Sequence, residues 1–563
     1  MKRVRHLFTL AIVSVILGSC AKQSSPTGGP RDEKPPVLLE SDPKDQTLNL
    51  KPEQLKLTFD EFVALENASK GVVVTPRIDK DKVEFTALKN TVTVKLNQEL
   101  EDSTTYVFDF QKAVVDLSEK NPAENLRIVF STGSSIDSLS VAGKINFYFP
   151  EAKEDYKNVL VGLYPLGDTT DVFTAQPYYL GQVDTLGNFK LTNIKNGQYK
   201  AYAWRDTNGN LKGDYKSEEH DFILDTIQLE TNLQNLQFNL SKADLTPIRI
   251  LRSSTIGKNY DIILNRNTVK AEIGNTELGK EYFFTEAEKR IRIYPKASKT
   301  DSIPFKIYLQ DSVGFSKDTL IWAKFQNSER KPEKLELTPN SGKSFYRNLA
   351  VELKFNKPIQ SINLDSLYIQ YDTASFIPVK REMLHFSDSA RRDVLNILFY
   401  IPDSINKEIM TLKASDSTFI DIEGQVNEKK LEANYRKLKR EGLADEIKGS
   451  IEGAKPPFIV QLIDSKDEVI REEIIDKGNT YSFKLVEPGT FKIKVIEDLN
   501  GNRRWDPSNY FQKREAERVF YFSGEENKRE VVIRGGWTLE DQNITANPPT
   551  GLPKLKLNPV EKQ

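Results

Sequence analysis

Two short stretches of this chain carry oxygen-bearing side chains at a spacing that could hold a hard cation. Asp206, Asn208, Asn210 and Asp214 stand at relative positions 1, 3, 5 and 9, and Asp498, Asn500, Asn502 and Asp506 repeat that spacing. Alternate residues of a tight loop can turn their oxygens toward one centre, which is how calcium loops are built. Neither copy has the usual glycine at position 6, where Leu211 and Arg503 stand, nor a glutamate at position 12, where Ser217 and Asn509 stand. Glu218 and Glu219 follow closely in the first copy, whereas the second shows no matching acid. The same residue types also build Asx turns, whose side chains satisfy their own backbone. Both readings stay open: a plain turn, or calcium held at the modest affinity of extracellular modules, about 10⁻⁴–10⁻³ M. Neither reading makes a cofactor obligatory.

Catalytic constellations are hard to find. After His6 the chain has His220 and His385, which fall in different modules, and it has no G-x-S-x-G elbow, H-E-x-x-H or P-loop. Asp60-Glu61 reads as the end of a strand turning into a solvated loop. The expectation is that the protein is not an enzyme. Aromatic clusters could line a glycan- or partner-binding surface: Phe147-Tyr148-Phe149, Tyr178-Tyr179, Phe283-Phe284, and Trp505 with Tyr510 and Phe511. On strands such residues go mostly to the core. Trp505 lies in a loop, where a contact with a partner is the stronger expectation.

Strands must position these loops. Leu55-Lys-Leu-Thr-Phe59, Val92-Thr-Val-Lys-Leu96, Tyr260-Asp-Ile-Ile-Leu264 and Phe305-Lys-Ile-Tyr-Leu309 all alternate apolar with polar, and turn residues interrupt the pattern every eight to twelve positions. That points to an all-β chain, a linear array of about five Ig-like or transthyretin-like β-sandwich modules. The polar stretch Gln425–Gly442 reads as a short helix or linker.

Internal repeats order the modules. Pro43 to Phe59 and Pro339 to Phe355 span the same length and end alike, in Leu-Thr-Phe-Asp and Leu-Lys-Phe-Asn. Asn196–Asp214 aligns with Pro488–Asp506, each following a Phe-Lys-Leu. The expected layout is a signal peptide (1–19), a tether (20–36), module A (37–135), module B (136–242), a middle module C (243–330), A′ (331–443), B′ (444–537) and an extended tail (538–563). Such modules are expected to bury little between neighbours. With 80 basic and 81 acidic residues spread over 563 positions, no basic block marks a nucleic-acid partner.

The N-terminus supplies the anchor. Lys2, Arg3 and Arg5 precede an apolar run, Leu7–Leu17, too short to span a bilayer and of signal-peptide length. Leu17-Gly18-Ser19-Cys20 resembles the lipobox of bacterial lipoproteins, and Cys20 is the chain's one cysteine. The thiol at the cut can carry lipid, palmitate included, and no disulfide or thiolate cluster can form within the chain. With Pro35-Pro-Val37, Ser41-Asp-Pro43 and Leu57-Thr-Phe-Asp-Glu-Phe62, the chain resembles Bacteroidota lipoproteins with an N-terminal bacterial Ig-like domain of the S-layer type. Modules B and B′ resemble their transthyretin-like, carboxypeptidase-regulatory-type sandwiches. The resemblance implies an outer-membrane lipid anchor, and Ala21 lacks the aspartate that retains lipoproteins in the inner membrane. The first acid is Asp32, so the periplasmic and cell-surface faces both stay open. The expected role is a non-catalytic scaffold or accessory subunit of an outer-membrane protein complex, serving outer-membrane protein assembly. An adhesin or glycan-binding surface lipoprotein is the alternative.

Overall fold

Alternation of apolar and polar residues builds almost every element. In the strand Gln54–Phe59, Leu55, Leu57 and Phe59 are buried while Gln54 and Lys56 face out. The structure, a computed structural model, describes residues 32–150, 155–297, 301–525, 528–547 and 549–551. Cys20 and the end of the expected tail lie outside the described residues. Among the described residues, α-helix is limited to the single turn Ala68–Gly71. The chain is all-β and built of Ig-like β-sandwich modules, as its patterning predicts. It divides into two compact units: residues up to Leu139 with 178–180 and 192–196, and the remainder from Ser140 onward.

In the first unit, module A sets Leu38–Asp42, Gln54–Phe59, Thr91–Leu96 and Val83–Leu88 side by side in one sheet. A second sheet of Val73–Thr75, Thr105–Asp109 and Arg127–Ser131 completes the sandwich, with Tyr106, Phe108 and Phe130 in the core. Asp60 acts structurally here: its carboxylate accepts the Val37 N–H at 2.8 Å. Arg127 holds the short pieces of chain in this unit, donating to Thr192 Oγ1 at 2.8 Å and Asn193 Oδ1 at 2.5 Å.

The second unit repeats that plan in A′. Leu337–Pro339, Asn348–Phe355, Val394–Tyr400 and Leu384–Phe386 follow the strand order of module A, against a five-stranded partner sheet. The stretch expected as helix or linker contains the strand Leu431–Lys437 and a 3₁₀ turn, Arg440–Gly442. Leu431, Ala433 and Tyr435 are buried there and Glu432, Asn434 and Arg436 exposed. Its heavy charge hid a period of two. Module C packs the sheet of Ile250–Ile256, Asn259–Leu264, Arg290–Pro295 and Tyr282–Ala287 against Lys270–Gly274, Ser302–Gln310 and Ser316–Lys324.

B and B′ share a feature that moves one expected boundary. In B, the first strand Leu139–Phe147 runs parallel to the last, Leu233–Lys242. In B′, the first strand Ala444–Glu452 runs parallel to Thr538–Leu539 and Ile544–Thr545. Residues 538–545, read from sequence as the start of a tail, are therefore the closing strand of B′. The polar turn Glu540–Asn543 splits that strand and weakens its pattern. Beyond it, Gly551 pairs in both directions with Gln237 of module B, at 3.1 and 3.3 Å.

Candidate functional site

Each Asp/Asn loop begins where a central strand ends: Gly197–Arg205 runs into the first, Gly489–Glu497 into the second. In the first loop the buried Asp206 accepts the N–H groups of Gly209 (2.8 Å), Asn210 (3.2 Å) and Leu211 (2.9 Å). In the second, the buried Asp498 accepts those of Asn502 (3.0 Å) and Arg503 (2.9 Å). Leu211 and Arg503 stand where a calcium loop has glycine, and both take that left-handed backbone, with φ of 60° and 61°. Asn208 and Asn500 accept the N–H two residues on, at 3.0 Å in each loop. These are the Asx turns that the residue types allow. Among the described residues, no three His, Cys, Asp or Glu side chains converge closely enough to hold a metal as they stand.

Each loop also has a third carboxylate, and here the sequence misled. Glu218 Oε2 accepts the Asp214 N–H at 2.9 Å. Its counterpart is Glu517, whose Oε2 accepts the Asp506 N–H at 2.9 Å. The two glutamates play one part, but Glu218 lies four positions after Asp214 and Glu517 eleven positions after Asp506. Residues 507–516 form an excursion that fixed-spacing comparison passes over. Their environments differ. Glu218 Oε1 accepts both the N–H and the Oγ1–H of Thr207, each at 2.7 Å. Leu499 stands at the Thr207 position and has no hydroxyl to offer; its N–H goes to the Glu497 carbonyl at 3.1 Å and also eases the charge of the Glu517 carboxylate, whose Oε1 is buried. Burial, with Asp506 and Asp498 close by, pushes the Glu517 carboxyl up to about 7.

The excursion joins modules. Tyr510 meets Phe173, Phe222 and Tyr202 of B edge-on, with ring centroids 5.4, 5.5 and 5.8 Å away. Its hydroxyl lies 3.1 Å from Asp171 Oδ2 and 3.3 Å from the Tyr202 hydroxyl. Asn509 and Arg514 donate to the Val313 carbonyl of C at 2.9 and 2.8 Å. Trp505, expected to contact a partner, makes its contacts inside the chain. Its ring meets Phe149 edge-on at 4.7 Å and Nε1 donates to the Glu517 carbonyl at 2.8 Å. Phe147, Tyr148, Tyr179, Phe283 and Phe284 are buried, whereas Phe149 and Phe511 are exposed.

A second junction is polar. Lys357 of A′ is fully buried, with Nζ 3.1 Å from Asp421 Oδ2 and 2.9 Å from Glu423 Oε2, and it donates to the Glu333 carbonyl. Asn259 of C donates to Glu423 Oε1 at 3.0 Å. Arg292 of C grips Asp261 with two bonds, at 2.6 and 2.8 Å, and reaches Glu333 Oε1 at 3.0 Å. The expectation that neighbours bury little between them fails within this unit, because two modules there end in side chains that need a partner module. His220 is buried under Phe173, its pKa lowered by burial, and His385 sits exposed on the strand Leu384–Phe386 of A′.

Residues 32–132 match the bacterial Ig-like domain family, which identifies module A. No curated protein matches the chain. Among solved structures it is similar to dimeric latent PorU from Porphyromonas gingivalis, at 10% identity and a TM-score of 0.23, over 62% of this chain and 46% of that one. It therefore spans less than half the length of that protein. It is similar to domains 1–6 of the surface layer protein SbsC, at 12% identity and a TM-score of 0.15, over 89% and 67% of the two chains. The Bacteroides ovatus mixed-linkage glucan utilization locus protein SGBP-B, in complex with a mixed-linkage heptasaccharide, aligns at 12% identity and a TM-score of 0.16, over 61% and 87%. At these TM-scores the likenesses carry no argument about function.

Proposed function

We propose that this protein is a non-catalytic scaffold, a Bacteroidota lipoprotein held on the outer membrane by lipid on Cys20, with B and B′ as transthyretin-like modules. Its task is to hold partner proteins of the outer membrane at fixed spacing, as an accessory subunit of a complex that assembles or services them. The observation that carries this reading is the pair of junctions in the second unit. Modules used only as flexible spacers need no buried ion network and no interlocked aromatics. Here Tyr510 of B′ bonds Asp171 and Tyr202 of B, and Asn259 and Arg292 of C bond Glu423 and Glu333 of A′. A scaffold benefits from that cost because its binding surfaces then keep their distances.

Affinity purification of the tagged full chain from native membranes tests the reading. The expected result is co-purification of outer-membrane proteins in fixed ratio. Cys20→Ser should abolish palmitate labelling, release the chain to the soluble fraction and lose those partners. Recovery of the unaltered protein alone, or membrane retention of Cys20→Ser, counts against it.

A further inference from the structure

We propose that module C pairs with module C of a second copy of this chain, along the strand Ser316–Lys324, to give a symmetric dimer. That strand is the outer edge of its sheet and lies beside Ser302–Gln310 in nine successive pairs with no bulge. The free N–H and C=O groups of an edge recruit other chains unless the edge is short, bulged or broken by proline. Elsewhere this chain uses those devices. Leu337–Pro339 and Ser375–Pro378 are edges of three and four residues that end in proline, and bulges interrupt the pairing of Leu38–Asp42 and Val469–Ile475. Ser316–Lys324 contains neither proline nor glycine.

Which groups the edge offers follows from its neighbours. Pro304, opposite Trp322, accepts the Asn275 amide at 3.0 Å on the far side of its strand, so Pro304 and Trp322 are not a hydrogen-bonded pair. The main-chain groups of Asp318, Leu320, Trp322 and Lys324 therefore point outward. The Thr255 hydroxyl reaches the Lys324 carbonyl from that outer side, at 2.6 Å and at this end only. Among the described residues no strand pairs with the outer edge. The side chains of the same four residues face solvent, with Leu320 51% and Trp322 60% exposed.

Antiparallel pairing of this strand with itself about Ile321 sets Asp318 against Lys324 and Leu320 against Trp322, each pair occurring twice. Opposite charges and large apolar side chains facing each other across strands are what stabilise such a pair. The neighbouring registers that keep outward groups face to face set Leu320 against itself or against Lys324, and lose the charge match. The pairing uses one patch on both copies, so it closes as a two-fold dimer and does not propagate. The Thr255 hydroxyl then yields the Lys324 carbonyl to the Asp318 N–H of the second copy. A contact of one strand is smaller than a standard interface, so the dimer is weak and dissociates on dilution.

Analytical ultracentrifugation of the full chain over a concentration series tests this, with Cys20→Ser in place to exclude a disulfide dimer. The expected result is a reversible equilibrium between monomer and dimer. Trp322→Lys should abolish it. Asp318→Lys and Lys324→Asp each set like charges opposite one another twice, and each should weaken the dimer about tenfold. The two together restore the match and should restore the dimer. Far-UV circular dichroism of each variant checks that it is folded. Carbodiimide coupling of mixed isotope-labelled and unlabelled chains should join Asp318 of one copy to Lys324 of the other. A chain that stays monomeric throughout the series overturns the proposal. So does a dimer that Trp322→Lys leaves intact, or one that the paired charge reversal fails to restore in the folded protein.

Discussion

Tyr510→Ala is expected to split the heat unfolding of the second unit, so that B and B′ melt as separate transitions. The tyrosine ring meets three aromatic rings of B edge-on at 5.4–5.8 Å. Edge-to-face pairs contribute about 0.5–1.5 kcal/mol each beyond the area they bury. Removing the whole ring also leaves a hole between modules and strands the Tyr202 hydroxyl, for a total near 3 kcal/mol. That loss falls on the junction rather than on either core. Tyr510→Phe keeps the rings and drops only the hydroxyl bonds to Asp171 and Tyr202, so about 1 kcal/mol is expected. Scanning calorimetry of the full chain distinguishes the outcomes. Equal effects of the two substitutions would mean that ring packing contributes little.

Lys357→Ala should be the most destabilising single change at the other junction, at about 3–5 kcal/mol in denaturant unfolding. Burial pushes the Asp421 carboxyl upward, while the N–H groups of Gln425 and Glu423 and the Lys357 ammonium pull it back. Without the ammonium, Asp421 and Glu423 face each other with no cation in a place that excludes water. Much of the cost is that of leaving two carboxylates unpaired, not the net worth of the pair. A low-pH measurement checks the cause. Protonating the carboxylates relieves the variant, so its deficit relative to the parent should shrink as pH falls below the range in which Asp421 ionises. A deficit constant with pH would point to lost packing instead.

Local patterns made much of the fold legible. The Pro-to-Phe repeat foretold that A and A′ open alike, because an edge strand pairing with a core strand needs only nearby residues; Leu38 pairs with Phe59 and Leu337 with Phe355. The Asp/Asn loops were found because their chemistry lies within nine positions. Glu517 was missed because an inserted excursion carries it away from its loop, and Glu218 gave the only hint that such a residue exists. The closing strand of B′ was missed because a polar turn interrupts it. The junctions were not legible at all: Phe173 and Tyr510 are distant in the chain, and no periodicity records which exposed-looking aromatic will find which. Trp505 was singled out as a partner contact from its place in a loop; in the structure its ring meets Phe149 of the same chain.

Fixed spacing across the second unit is the core of the proposed role, and a distance measurement tests it most directly. Cys20→Ser leaves no cysteine in the chain. Spin labels can then be placed through Lys190→Cys in B and Glu432→Cys in A′, both exposed. Pulsed electron resonance on this otherwise unaltered chain should give one narrow distance distribution, broadened when Tyr510→Ala and Lys357→Ala are added together. A broad distribution before either junction is touched would contradict the scaffold.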